Sequence, residues 1–221
     1  MTDNLPKSIL KILHKELAFP NTIKTTEDPF ETLIATIISQ NTADTNTKQA
    51  FENLASHFKI TPQVLSTAEK PKIEECIRAA GLSKSKTKTI QNASYKILEK
   101  FGGSMKPILS MELEQARKTL MEIPGVGPKT ADVVLLFSAH KYTIPVDTHV
   151  NRVSKRLGLS PPNSSKEEVR SNLQSKFSTQ EYLSVHLLLI SLGRKYCKAH
   201  NPLCQDCPVC NICPKIISGN N

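Results

Sequence analysis

The stretch that decides the fold is 121–140, "MEIPGVGPKTADVVLLFSAH". Its flanks are apolar at helical spacing, and glycine supplies the positive φ angles of a tight turn, so it predicts helices 111–121 and 128–140 around a hairpin at 123–127. Backbone N–H groups of Gly125, Val126 and Gly127, with the positive end of the second helix, suit a phosphate. The alternative is an ordinary helical hairpin with a glycine turn. The segment therefore predicts a phosphate site, and such a site would bind a nucleic-acid backbone without reading the base sequence.

One charged residue, Lys129, stands at the start of the apolar second helix. Partial burial near the positive end of a helix disfavours the ammonium form, which leaves more free amine. A free amine is what a lysine nucleophile requires. The alternative is an exposed lysine in the first helical turn. The position therefore marks Lys129 as a candidate catalytic residue.

The composition favours a helical protein that binds a polyanion. The chain has 221 residues, only 8 glycines and no tryptophan, so we expect an all-α fold with an aliphatic core. Its formal net charge of +9 suits nucleic acid, although a generically basic protein remains the alternative.

The sequence also bears on where the protein acts. No apolar run approaches the roughly 20 residues of a membrane span, and "MTDNLPKSIL" lacks a signal-peptide pattern. We therefore expect no membrane partner and a cytoplasmic, nucleoid-associated protein. In a reducing compartment we expect the six cysteines to be metal ligands or free thiols rather than disulfides.

Helix boundaries are well marked along the chain. The N-terminal signals are Asp28-Pro29 with Glu31, Thr61-Pro62, Asp147, and Ser178 with Glu181; Gly158 is a stop signal. These signals and the apolar spacing predict eight to ten helices joined by short polar loops, and no strand.

Three segments carry a family resemblance: "LIATIISQNTADTNT" (33–47), "MEIPGVGPKTADVV" (121–134) and "VDTHVNRV" (146–153). Together they resemble the helix-hairpin-helix DNA glycosylases of the endonuclease III family, and the similarity runs to the last cysteine. The resemblance implies an all-α, two-domain fold with a DNA-binding cleft between the domains. Residues 23–138 would carry the hairpin, and 1–22 with 139–221 would carry a cluster loop at 197–213.

The resemblance also implies a reaction. The matching lysine, Lys129, would attack C1′ of the deoxyribose of a flipped nucleotide, form a Schiff base and cut the strand on the 3′ side by β-elimination. Asp147, a helix cap by sequence, would face the lysine and stabilise positive charge on the sugar. The expected enzyme is a monomeric, bifunctional DNA glycosylase and AP lyase. It would remove oxidised pyrimidines from double-stranded DNA that contains damaged bases or abasic sites.

The cysteines near the C-terminus allow more than one ligand set. Cys197, Cys204, Cys207 and Cys213 match the [4Fe-4S] pattern that the resemblance implies. Spacing alone also permits a set that replaces Cys197 by Cys210, because 204, 207, 210 and 213 are each separated by two residues. Zinc is a further alternative, since Cys₄ sites use the same C-x₂-C pairs. The resemblance favours the first set, with Cys210 and Cys76 as free thiols.

A glycosylase must flip its target nucleotide and fill the gap that is left. "AAGLSKSKTKTI" (79–90) resembles the family's wedge loop, which assigns the wedge to Leu82 and phosphate contacts to Lys84 and Lys86. "SQNTAD" (39–44) resembles the gap-filling segment and selects Asn41, with Gln40 as the alternative.

Two rival functions remain at the level of sequence. One is a mismatch-specific glycosylase acting on adenine or on uracil and thymine. The other is a non-catalytic DNA-binding module, against which the pairing of Lys129 with Asp147 argues.

Overall fold

The computed structural model describes residues 4–20 and 28–216, and this part of the chain is helical without strands. It contains twelve α-helices and two short 3₁₀ helices, more than the eight to ten expected. The α-helices are α1 Leu5–Glu16, α2 Pro29–Ser39, α3 Asp44–His57, α4 Pro62–Thr67, α5 Lys70–Cys76, α6 Ser83–Phe101, α7 Lys106–Leu109, α8 Leu113–Met121, α9 Pro128–Ser138, α10 Thr148–Arg156, α11 Lys166–Lys176 and α12 Tyr182–Lys195. The 3₁₀ helices are Arg78–Ala80 and Thr179–Glu181.

The capping signals are confirmed where they were expected. The Asp28 carboxylate accepts hydrogen bonds from the N–H groups of Phe30 and Glu31 at the start of α2. Ser178 and Glu181 form the expected capping box before α12. The short α4, of six residues, begins at the expected Thr61-Pro62 signal, while α5 and α7, of seven and four residues, had no such signal. Two turns or fewer carry too little apolar periodicity to be separated from loops.

The described chain divides into two compact units. The first unit contains the described residues up to Pro20 and those from Tyr142 onward, and the second contains those from Asp28 to Lys141. Each has its own hydrophobic core. The predicted boundary at 22/23 falls in 21–27, outside the described residues. The predicted domain limits therefore stay a prediction.

In the second unit, helices α8 and α9 are joined by a buried ion pair as well as by apolar packing. The Arg117 guanidinium donates from Nε to Asp132 Oδ1 at 2.9 Å and from Nη2 to Oδ2 at 3.3 Å. A bidentate pair of this kind has a defined geometry. It therefore constrains how the two helices of the hairpin lie against each other.

In the first unit, α10 and α12 pack closely because α12 has a glycine at the contact. A Cβ on Gly193 would stand 3.0 Å from the Cβ of His149 and 3.2 Å from Val153 Cγ2. The close approach brings the arginines of α10 next to the segment that follows α12. Among the described helices, none combines the length and apolar character needed to cross a membrane.

Candidate functional site

The turn between α8 and α9 needs a positive φ at one of its two glycines, not at both. Gly125 has a φ of +80°, which glycine adopts without strain. Gly127 has a φ of −93° and is the N-cap of α9, so its backbone is open to other residues. The expected need for positive φ is therefore confirmed at Gly125 and wrong at Gly127.

The turn offers two backbone donors to an anion. In the part of the chain that the structure describes, the N–H groups of Gly125 and Gly127 donate no hydrogen bond. The N–H of Val126 closes the turn by donating to the Ile123 carbonyl at 3.0 Å, and its side chain is 6% exposed within the core. The predicted contact through Val126 is corrected accordingly: Val126 anchors the hairpin, and the glycines on either side supply the free N–H groups.

We expect Gly125→Ala to destabilise the protein and Gly127→Ala to leave its stability nearly unchanged. A Cβ on Gly125 would lie 2.1 Å from Thr89 Cγ2, and Thr89 is held by a hydrogen bond from its hydroxyl to the Ser85 carbonyl. The left-handed backbone adds about 1–2 kcal/mol for a residue with a side chain. A Cβ on Gly127 meets nothing within 4 Å. Denaturant unfolding of the two variants is the measurement, and equal midpoints would contradict the assignment.

Lys129 is the second residue of α9 and is half-buried. Gln40 reaches the same region from the end of α2, because its Nε2 donates to the Gly125 carbonyl at 3.1 Å and lies 3.5 Å from Thr130 Oγ1. Asn41, the next residue, is exposed and has a φ of +55°. The structure thus brings Gln40 against the hairpin beside Lys129 and leaves the side chain of Asn41 at the surface.

Asp147 is the N-cap of α10, as its sequence position indicates. Its Oδ1 accepts a hydrogen bond from the Val150 N–H at 2.7 Å. The residue is half-buried. Lys129 belongs to the second unit and Asp147 to the first.

In the wedge loop, the structure contradicts the predicted phosphate contact of Lys86. Leu82 is 66% exposed with a φ of +49°, and Lys84 is exposed as well. Lys86 is only 5% exposed, and its ammonium donates to three oxygens of the chain itself. Lys86 therefore has no free donor for a phosphate, and burial lowers its pKa.

A signal in the sequence could have revealed the burial of Lys86. It precedes Ile90, Ala93 and Ile97 by four, seven and eleven positions, and these three are fully buried on α6. This is the spacing of one helix face. The lysine-rich composition of the stretch concealed the pattern.

The segment after α12, residues 196–216, forms a cavity lined by sulfur. The space is partly open to solvent and is bounded by Cys197, Cys204, Cys207, Cys210 and Cys213 together with Lys215, Tyr196 and leucine side chains. Burial raises the pKa of the Cys207 and Cys213 thiols. In the described residues no three metal-ligating side chains converge on one point. We therefore describe the space as a thiol cavity, with all five cysteines at its wall.

Two arginines of α10 fasten this segment, and sequence analysis missed both. Arg152 Nε donates to the Cys197 carbonyl at 3.0 Å. Arg156 Nη1 donates to the Lys198 carbonyl at 2.6 Å and lies 3.6 Å from Cys197 Sγ. From sequence alone, arginines four apart on a basic helix cannot be told from phosphate ligands.

The chain matches known proteins over most of its length. Residues 34–179 match the family model "HhH-GPD superfamily base excision DNA repair protein". An endonuclease III of Sulfolobus acidocaldarius is 34% identical over 92% of this chain and 89% of its own. An endonuclease III of Thermotoga maritima is also 34% identical, over 96% and 92%.

Comparison with solved structures indicates the same family. A trapped endonuclease III–DNA covalent intermediate, the estranged-adenine complex, has a TM-score of 0.83 and 31% identity, covering 97% of each chain. A non-covalent endonuclease III–DNA complex has a TM-score of 0.81 and 32% identity, covering 97% of this chain and 96% of the other. A thermostable thymine-DNA glycosylase, at 20% identity and a TM-score of 0.78, shares the fold. By sequence and by structure, the chain belongs to the endonuclease III family within the HhH-GPD superfamily of base excision DNA repair proteins.

Proposed function

We propose that the protein is a base-excision DNA repair enzyme, a bifunctional DNA glycosylase and AP lyase that removes oxidised pyrimidines. The observation that carries the proposal is the structural match, over 97% of each chain, to a covalently trapped endonuclease III–DNA complex. Covalent trapping requires a nucleophile. This chain places Lys129 directly after a hairpin with two free backbone donors. It acts as a monomer on chromosomal DNA in the cytoplasm.

Binding begins at the hairpin and at two exposed tips of the second unit. The N–H groups of Gly125 and Gly127 hold a phosphate without reading a base. Leu82 enters the stack as the wedge, and Lys84 contacts a neighbouring phosphate. Asn41 fills the gap left by the flipped nucleotide, because its side chain is exposed while the amide of Gln40 is engaged with the hairpin.

Chemistry then proceeds through the two candidate catalytic residues. Lys129 Nζ forms a bond to C1′ as the bond from C1′ to the damaged base breaks, and the base leaves with the bonding electrons. The ring opens to a Schiff base, loss of a C2′ proton follows, and the 3′ phosphate departs by β-elimination. Asp147 stabilises positive charge on the sugar and moves protons. Its cap hydrogen bond from Val150 fixes the carboxylate.

The thiol cavity fits a [4Fe-4S] cluster. Its donors are thiols, which suit iron, and four of them have the family's spacing: Cys197, Cys204, Cys207 and Cys213. These four cysteines would hold the cluster, and a bound cluster would tie residues 196–216 to the core of the first unit. Arg152 and Arg156 already fasten this segment, because they donate hydrogen bonds to its carbonyls. Val209, 1% exposed, inserts into the core.

A panel of duplexes, each with one lesion, tests the function. The set contains oxidised pyrimidines, an abasic site, an A opposite 8-oxoguanine, and uracil and thymine mispairs. Each is assayed with and without alkali, so that base excision and strand cleavage are read separately. We expect cleavage without alkali at oxidised pyrimidines and at the abasic site. Excision confined to mispairs, with breaks only after alkali, would overturn the proposal.

We expect Asp147→Asn to slow base excision strongly and to keep the fold. Asparagine caps a helix about as well as aspartate, so the free energy of unfolding should change by no more than about 1 kcal/mol. Loss of the carboxylate should slow excision by about 10²–10⁴-fold, the usual contribution of acid–base catalysis. Single-turnover kinetics and denaturant unfolding are the measurements. An asparagine variant with wild-type kinetics would reduce Asp147 to a helix cap.

A further inference from the structure

Lys86 lies between two loops that the proposed function assigns to the opening of the duplex. Its Nζ donates to the Ile38 carbonyl at 2.7 Å, to Thr42 Oγ1 at 2.5 Å and to the Ala80 carbonyl at 2.9 Å. An ammonium group has three donors, so all three are used. The acceptors belong to two segments far apart in sequence.

Each acceptor is next to an exposed tip. Ile38 and Thr42 flank Gln40 and Asn41, and Ala80 stands two residues before Leu82. Thr42 also ties the segments directly, because its hydroxyl lies 2.7 Å from the Ala80 carbonyl. The Ala80 carbonyl therefore accepts from Lys86 and from Thr42, and the two loops share one hydrogen-bond network.

Both tips adopt a backbone conformation that needs support. Asn41 and Leu82 have φ angles of +55° and +49°. A residue with a side chain pays about 1–2 kcal/mol for the left-handed region. Such conformations persist where the surrounding structure holds them. Lys86 supplies that hold for both tips, from a buried position at the first turn of α6.

Among the residues that the structure describes, the Lys86 ammonium meets two backbone carbonyls and a hydroxyl rather than an acid. Ile38 is in the last turn of α2, and Ala80 ends the 3₁₀ helix Arg78–Ala80. Carbonyl groups at helix C-termini carry partial negative charge, which stabilises a cation. The three acceptors match in number the three N–H groups of an ammonium.

We propose that Lys86 is a positioning residue that couples the 39–42 segment to the 80–82 loop, so that the gap-filling and wedge side chains enter DNA as one preorganised unit. The inference rests on the proposed function for the role of these tips. It replaces the phosphate contact predicted for Lys86. Lys84, two residues earlier and exposed, remains the phosphate contact.

The test compares Lys86→Met with Lys84→Met, which remove the same charge from a buried and an exposed position. The first measurement needs no DNA: amide hydrogen exchange of peptides covering 37–43 and 78–83. We expect faster exchange in both segments for Lys86→Met and in neither for Lys84→Met. Unchanged exchange in either segment of Lys86→Met would overturn the coupling.

The second measurement uses a duplex with a tetrahydrofuran abasic analogue and an adjacent 2-aminopurine, whose fluorescence rises on unstacking. For Lys86→Met we expect about tenfold weaker binding, equal to about 1.4 kcal/mol. The fluorescence change should be lost and the dependence of log K on log salt kept. For Lys84→Met the salt slope should fall by about 0.9, one phosphate contact, with the fluorescence change kept. A reduced salt slope in Lys86→Met would restore the phosphate role and overturn the proposal.

Thr42→Val covers the case in which Lys86→Met does not fold. It removes the Thr42 hydroxyl and leaves the lysine, so we expect the same changes at smaller amplitude. Wild-type exchange in both segments of Thr42→Val would overturn the network. A wild-type protein that gives no fluorescence change with the abasic duplex would count against the proposed function. The exchange measurement would still decide the coupling.

Discussion

Lys129→Gln is expected to abolish borohydride trapping and alkali-independent strand cleavage while DNA binding stays nearly intact. Glutamine has no nucleophilic amine, so no Schiff base forms and no adduct is available for reduction. We expect cleavage to fall by at least about a thousandfold, within the roughly millionfold that loss of a nucleophile can cost. The Kd for an abasic duplex should change by about threefold or less, under 1 kcal/mol. Phosphate binding is assigned to the N–H groups of Gly125 and Gly127, which the substitution leaves in place.

The matched control is Lys118→Gln, an exposed lysine in the last turn of α8. It removes the same charge from the same hairpin and should trap as the wild type does. Trapping is read as a covalent protein–DNA band on a denaturing gel. A full-strength band from Lys129→Gln would assign the nucleophile to another amine.

Features that depend on neighbours in sequence were predictable. The caps at Asp28 and Asp147 were recovered because each involves a donor within three positions. The turn at 123–127 was predicted because glycine favours the positive φ that the turn needs at Gly125. The family motifs placed Lys129 at the second position of its helix, where the structure has it.

Features that depend on distant partners were not predictable. Lys86 was assigned to the surface, yet two of its acceptors are 48 and 44 positions away. Arg152 and Arg156 bind carbonyls more than 40 positions away, beyond the end of α12. A basic side chain has the same sequence signature whether it meets a phosphate or an internal carbonyl. Only the fold separates the two.

The second large effect is expected at the thiol cavity, where Cys197→Ser should lose the cluster and Cys210→Ser should keep it. Both cysteines line the cavity, so lining does not distinguish them. The proposal distinguishes them by the hydrogen bonds that link Cys197 to the helices of the first unit. The Cys197 N–H donates to the Leu192 carbonyl at 2.8 Å, and its own carbonyl accepts from Arg152. Ligation there ties the cluster to α12 and α10. A set of 204, 207, 210 and 213 would close only the loop upon itself.

Iron and sulfide analysis under anaerobic conditions decides between the two sets, together with visible absorption and thermal unfolding. For Cys197→Ser we expect loss of iron and of the brown colour, and lower stability of the first unit, because its C-terminal segment would lose a covalent tie to α12. For Cys210→Ser all three should match the wild type. Retained iron in Cys197→Ser with loss in Cys210→Ser would reverse the ligand assignment. Zinc in the wild type would replace the cluster by a Cys₄ zinc site. Because each outcome is read from metal content, the ligand set is decided independently of DNA repair activity.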